Sequence, residues 1–136
     1  MKSIVVYWSM TGNTEGIANL IGVDCDANVL SVSEANVDEV LSYDNIILGC
    51  PAMGAEVLEE EEFQPFYDEL STKLNNQRIF LFGSYGWGDG EWMRNWEEDA
   101  KNKGLNLQAE GLIVNGDSSS IDQEKYEGFI NAIKEN

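Results

Sequence analysis

A chain of 136 residues with 43% apolar composition is long enough to bury one core, and its formal charge of −17 makes a nucleic acid or an anionic membrane an unfavourable partner, because a phosphate polyanion would be repelled. Histidine is absent and cysteine occurs only at Cys25 and Cys50, which excludes four-thiolate zinc or iron–sulfur sites and histidine metal sites within one chain. Redox chemistry would have to come from a bound organic cofactor. The start, MKSIVVYW, has no long apolar stretch and no small-residue cleavage site, so the expectation is a cytoplasmic protein with both thiols free.

Ser3 to Trp8 reads as a continuous apolar strand, and Ile17, Leu20 and Ile21, spaced by three and four, read as a helix. Between them lies Ser9-Met10-Thr11-Gly12-Asn13-Thr14. A loop from strand into helix aims backbone N–H groups and a positive helix end at one point, which makes an anion site. Three hydroxyls and one amide add neutral donors, and the Lys of a nucleoside triphosphate loop is missing, so a single phosphate monoester fits better than a triphosphate. A helix cap rich in Ser, Thr and Asn is the plainer alternative.

Asn28 to Val32 is a weaker strand, Val37, Val40 and Leu41 mark a short helix, and Ile46 to Cys50 is a third strand followed by Pro51-Ala52-Met53-Gly54-Ala55-Glu56. Glu59 to Glu62 is an unbroken acidic run in a stretch with no Lys or Arg between Ser3 and Thr72. Such a run is either a solvated helix start or a docking face for a basic protein. Phe63, Phe66, Tyr67, Leu70 and Leu74 predict a helix, Ile79 to Phe82 a fourth strand, and Trp92, Met93, Trp96 and Ala100 another helix. The connecting loop, Gly83-Ser84-Tyr85-Gly86-Trp87-Gly88-Asp89-Gly90, holds one Trp among four glycines, as expected where something flat approaches the backbone. Leu112 to Val114 predicts a fifth strand, and Tyr126, Phe129, Ile130 and Ile133 a final helix.

Strand and helix therefore alternate five times. Strands apolar on both faces predict an α/β fold, a three-layer doubly wound sandwich around a five-stranded parallel sheet, formed as one domain over residues 1–136. Its ligand crevice belongs at the carboxyl ends of the strands, where the three loops meet.

With YWSMTGNTE at the first loop, ILGCPAMG at the second and FGSYGWGDGEWM at the third, the chain resembles the short-chain flavodoxins of anaerobic bacteria along nearly its whole length. The resemblance implies a strand order of 2-1-3-4-5 with FMN at the switch point between strands one and three, flavodoxins being themselves the standard example of that rule. It further implies that Ser9, Met10, Thr11, Gly12, Asn13 and Thr14 wrap the FMN phosphate, and that Pro51, Ala52, Met53, Gly54, Ala55 and Glu56 flank the ring. Met53 would cover one face, Trp87 the other, and Glu56 would meet the pyrimidine edge. Ser84, Tyr85, Gly86 and Gly88 would supply backbone contacts, and Gly54 would present its carbonyl to flavin N5.

The implied function is that of a monomeric, low-potential carrier moving single electrons between semiquinone and hydroquinone states and serving redox enzymes with basic docking surfaces. The alternative from another class is an FMN-dependent NAD(P)H:quinone reductase of related fold. Two departures from the family stand out. The segment between Asn13 and Val29 is about a turn short, predicting a stunted first helix, and Ala55 replaces the usual Asp, Asn, Ser or Gly. A carbonyl-in turn would be of type II′ with φ > 0 at Gly54, and a type II carbonyl-out turn would place φ > 0 on Ala55, at a cost. Ala55 should therefore favour the carbonyl-in turn or some other carbonyl-out geometry.

Overall fold

Period-two alternation sends each strand's side chains into two separate cores. The computed structural model describes residues 1–135. In β1 (Ser3–Tyr7) Ile4 and Val6 face one side and Val5 the other; in β3 (Asn45–Gly49) Ile46 and Leu48 oppose Ile47. In β4 (Arg78–Tyr85) Ile79 and Leu81 oppose Phe80 and Phe82. All ten side chains are fully buried, so both faces of the sheet are covered.

One face is closed by Val40 of α2 (Val37–Val40), by Phe63, Phe66, Tyr67 and Leu70 of α3 (Phe63–Lys73), and by Trp92, Met93, Trp96 and Ala100 of α4 (Glu91–Asn102). The other is closed by Ile17, Ala18 and Ile21 of α1 (Asn13–Cys25) and by Tyr126, Phe129, Ile130 and Ile133 of α5 (Gln123–Lys134). The first helix, expected to be short, runs thirteen residues and ends on Asp26 in the left-handed region, φ 52°, leaving only Asp26 and Ala27 before β2 (Asn28–Ser31).

The strand order is β2-β1-β3-β4-β5, parallel throughout, as the family resemblance implies. The outermost position differs in one detail. β5 (Asn106–Leu107) pairs with Arg78 and Ile79, and β6 (Leu112–Asn115) pairs with Phe82 to Tyr85, so the two lie end to end along β4. The break at 108–111 is anchored by the Gly111 amide, which donates to Glu97 Oε2 at 2.6 Å instead of entering the ladder. β4 is also longer than Ile79 to Phe82: it includes Gly83, Ser84 and Tyr85. Gly83 is there because a Cβ would lie 2.1 Å from the Cys50 carbonyl oxygen.

The acidic run is not one continuous exposed face. Glu59 is buried, and its carboxylate accepts from the amides of Glu61, Glu62 and Phe63, each at 2.8 Å, satisfying donors at the start of α3. Burial alone would push the Glu59 carboxyl up, but the Phe63, Glu62 and Glu61 amides outweigh it and hold the group below its ordinary value of 4.5. A carboxyl depressed in the folded state stabilises the fold above its unfolded pKa, and that contribution is lost as pH falls through the folded value. Glu59→Gln is therefore expected to cost about 1–2 kcal/mol at pH 7. The gap to the native protein should close below about pH 4.5 in urea unfolding; a gap independent of pH would mean the carboxylate charge is not what caps α3.

Candidate cofactor site

The carboxyl ends of β1, β3 and β4 bring the three predicted loops together around a cleft of about 420 Å³, within the range of cofactor pockets. Ser9, Met10, Thr11, Asn13 and Thr14 line it from the first loop, Pro51 to Gly54 from the second, and Ser84 to Gly86 from the third. The other five predicted residues stand around it. Gly12 forms the N-cap of α1, with φ 96°; Ala55 and Glu56 lie in the turn beyond Gly54; Trp87 and Gly88 are exposed on the third loop.

The first loop is arranged around Ser9, whose Oγ accepts from the amides of Gly12 (3.1 Å) and Glu15 (3.3 Å) and keeps its own proton free to donate. The amides of Thr11, Asn13 and Thr14 donate to no other group among the described residues. They are the orphan donors of a helix start, aimed into a cleft that no Lys or Arg lines. Thr14 is buried, and its Oγ1 shares a 2.7 Å hydrogen bond with the buried Ser84 Oγ, tying the first loop to the third. Tyr7 donates its hydroxyl to Glu15 at 2.8 Å; burial first, then that bond and the Glu15 charge, push the phenol up to about 12 and keep it protonated.

The second loop is a hairpin. Glu56 N donates to Met53 O (2.7 Å) and Met53 N to Val57 O (3.0 Å), while positive φ falls on Glu56, at 58°, and on neither Gly54 nor Ala55. This is the three-residue pattern of a β-turn followed by a left-handed residue. Neither the type II nor the type II′ turn is formed, and the loop takes another geometry, the kind of alternative left open for Ala55: Ala55 is not strained, and the cost of a positive φ is borne by Glu56. Two bonds hold this arrangement. Glu56 Oε2 accepts from the Trp92 amide at 2.8 Å, capping α4, and Trp92 Nε1 donates to Cys50 O at 3.1 Å. Glu56 thus joins the second loop to the helix after the third, and Trp92 is a supporting residue that the sequence reading placed only in the core.

Trp87 is 70% exposed and Met10 68% exposed, so two large apolar groups project beside the cleft. A fourth loop reaches the same end of the sheet and was not foreseen: the Gly116 amide donates to Tyr85 O at 3.0 Å, and a short turn at Ser118–Ser120 packs on α1. A second depression of about 400 Å³ borders β6 between α4 and α5, lined by Met93, Glu97, Leu112 and Phe129, but it offers no comparable set of free amides. Among the described residues no group of His, Cys, Asp and Glu could hold a metal ion, and no helix is long and apolar enough to cross a membrane.

The family model described as Flavodoxin matches residues 5–129. The chain belongs to the flavodoxin family. It is 48% identical over 128 residues to a flavodoxin of Clostridium beijerinckii, covering 90% of this chain and 93% of that one. A Megasphaera elsdenii flavodoxin is 43% identical over 114 residues, 80% of this chain and 83% of the relative. The solution structure of the two-electron reduced M. elsdenii flavodoxin superimposes with a TM-score of 0.86 at 40% identity, covering 98% of this chain and 99% of that one. Flavodoxins are FMN-binding electron carriers, and this flavodoxin is an electron-transfer protein rather than an enzyme. These matches give the quinone-reductase alternative no support.

Proposed function

We propose that residues 1–136 act as one cytoplasmic, monomeric carrier whose FMN phosphate sits in the Ser9–Thr14 loop, with the isoalloxazine ring between Met53 and Trp87. The observation that carries this reading is the set of unpartnered amides at Thr11, Asn13 and Thr14, beside hydroxyls and without a cation, in a cleft whose third loop carries an exposed Trp next to Gly86. Bound FMN supplies the chemistry of accepting and releasing electrons, and the surrounding residues bind, orient and tune it. Pro51 and Ala52 form the floor, and Ser84 to Gly88 offer backbone groups to the ring edge. Gly54 is exposed and a Cβ there would touch nothing, which leaves its peptide free to turn toward N5; Ala55 has no left-handed strain to relieve. Glu56 faces the pyrimidine edge while capping α4.

Thr14→Val tests the phosphate. It is expected to weaken FMN by about 10-fold to 100-fold, the cost of one lost hydrogen bond and an unsatisfied Ser84, while riboflavin loses about 3-fold or less. Equal losses for the two flavins would move the phosphate out of this loop.

The partners we propose are redox enzymes with basic docking surfaces. Of the eight cations, Lys2, Lys73, Arg78, Lys101, Lys103 and Lys134 lie at strand starts or helix ends, opposite the cleft. Of the two near it, Arg94 is bound to Asp89 at 3.0 Å. The cleft end therefore carries the negative charge. Each carboxylate at roughly 12 Å opposes a further electron by about 0.3 kcal/mol in high dielectric, and a basic partner is steered to the same end. Reduction by such a partner should slow as ionic strength rises; rates indifferent to salt would remove the docking assignment.

A further inference from the structure

We propose that Trp92, Trp96 and Tyr67 form an internal route along which an oxidising equivalent leaves the cofactor cleft and comes to rest on Tyr67. The inference rests on the cofactor placement above. Tyr85 lines the cleft, and its ring lies 5.4 Å from that of Trp92 between centroids. Trp92 and Trp96 are one turn apart on the buried face of α4. The Trp96 ring then meets Tyr67 of α3 edge-on at 6.0 Å.

The polar atoms along this path differ in a way that packing alone does not require. Trp96 is 2% exposed and its Nε1 is the one buried side-chain polar atom without a partner among the described residues. The side chain that faces this N–H is the Tyr67 hydroxyl, which carries its own proton and is a poor base, so a Trp96 radical cation does not deprotonate locally and stays strongly oxidising. Tyr67 is the opposite case: its hydroxyl donates to Asp99 Oδ2 at 3.0 Å, and Asp99 is paired with Lys103 at 3.1 Å near the surface. Burial first, and then the Asp99 charge, hold the phenol far above its usual range, so Tyr67 is oxidised only if its proton leaves with the electron.

The step balances. A one-electron oxidant in the cleft, the photoexcited oxidised flavin, gains one electron. Tyr67 supplies it through Trp96, Trp92 and Tyr85; its O–H bond breaks and the proton passes to the Asp99 carboxylate. The products are the singly reduced flavin, the neutral Tyr67 radical and protonated Asp99. Such a route would move damage away from the cofactor loops.

The test is blue-light excitation of the FMN-loaded protein without added donor, followed by time-resolved electron paramagnetic resonance. A neutral tyrosyl radical is expected in the native protein. Tyr67→Phe, which keeps the ring, should replace it with a tryptophan radical cation, and Trp96→Phe should lower its yield at least 10-fold, with FMN affinity and circular dichroism unchanged in both. A tyrosyl signal that survives Tyr67→Phe, or a radical found only on Trp87, would overturn the proposal. Trp96→Phe with undiminished tyrosyl yield would overturn it as well. Failure of the protein to bind FMN at all would instead fall on the cofactor assignment.

Discussion

Arg78→Met is expected to destabilise the protein by about 3 kcal/mol while leaving FMN affinity unchanged. The Arg78 guanidinium stands at the start of β4 under the end of α5. It donates to Asn45 Oδ1 at 3.1 Å, to the Glu135 carbonyl at 2.6 Å and to the Ala132 carbonyl at 2.5 Å. Those carbonyls belong to the last turn and C-cap of α5, whose acceptors have no partner within the helix. Asn45 is 2% exposed and ties the same group to β1, through Nδ2 to Ser3 Oγ at 2.9 Å. Charged hydrogen bonds of this kind contribute about 1.5–3 kcal/mol each, less than additively, and removing the cation strands a buried amide oxygen. Methionine retains the apolar stem but not the guanidinium, whose carbon sits 5.3 Å over the Phe80 ring, so the loss reports the hydrogen bonds and that cation–π contact rather than a cavity. In urea the midpoint should fall by roughly 1–3 M, and Arg78→Lys should recover less than half of the loss, because a point charge cannot reach three acceptors. A loss under about 0.5 kcal/mol would show that this network is replaced by water at no cost.

Trp87→Ala should do the reverse, weakening FMN by about 10-fold to 100-fold, equivalent to roughly 1–3 kcal/mol of stacking, with little change in stability. A side chain 70% exposed has little packing to lose on truncation. Its position on a loop of exposed Gly86, Trp87, Gly88 and Asp89 costs chain entropy that no internal contact offsets, which is what a ligand contact would compensate. Flavin fluorescence should rise strongly as the stacked quencher is removed. Trp92 serves as the comparison: it is 1% exposed and its Nε1 donates to the Cys50 carbonyl, so Trp92→Phe should lower stability before it lowers affinity. Unchanged affinity and fluorescence in Trp87→Ala would take Trp87 off the ring.

How far the chain could be read without coordinates depended on the range of the forces involved. Val5, Ile47 and Phe80 sit in unbroken apolar runs because both faces of their strands are covered, and a doubly covered strand has no polar position to display. The helices announce themselves by spacings of three and four, and a loop from strand to helix is an anion site wherever it occurs. That is why the covered parallel sheet and the phosphate-like first loop could be read from the residues themselves, while the strand order and the twelve cleft-lining residues came from the family resemblance carried by the three loop motifs. The misses share one cause, which is that they are decided by partners far away in the chain. Gly83 and Ser84 look like loop residues, yet β6 holds them in a strand. Glu59 looks like one of four solvated carboxylates until the start of α3 supplies three amides to its side chain. The turn at Gly54 and Ala55 was argued from local dihedral preferences, but its geometry is fixed by the Trp92 amide, 36 residues on, which holds Glu56 in the left-handed region. Local pattern determines which elements form and where a ligand must lie; which carboxylates face solvent, and which backbone group bears the strain, is settled only when the helices dock and buried donors find their acceptors.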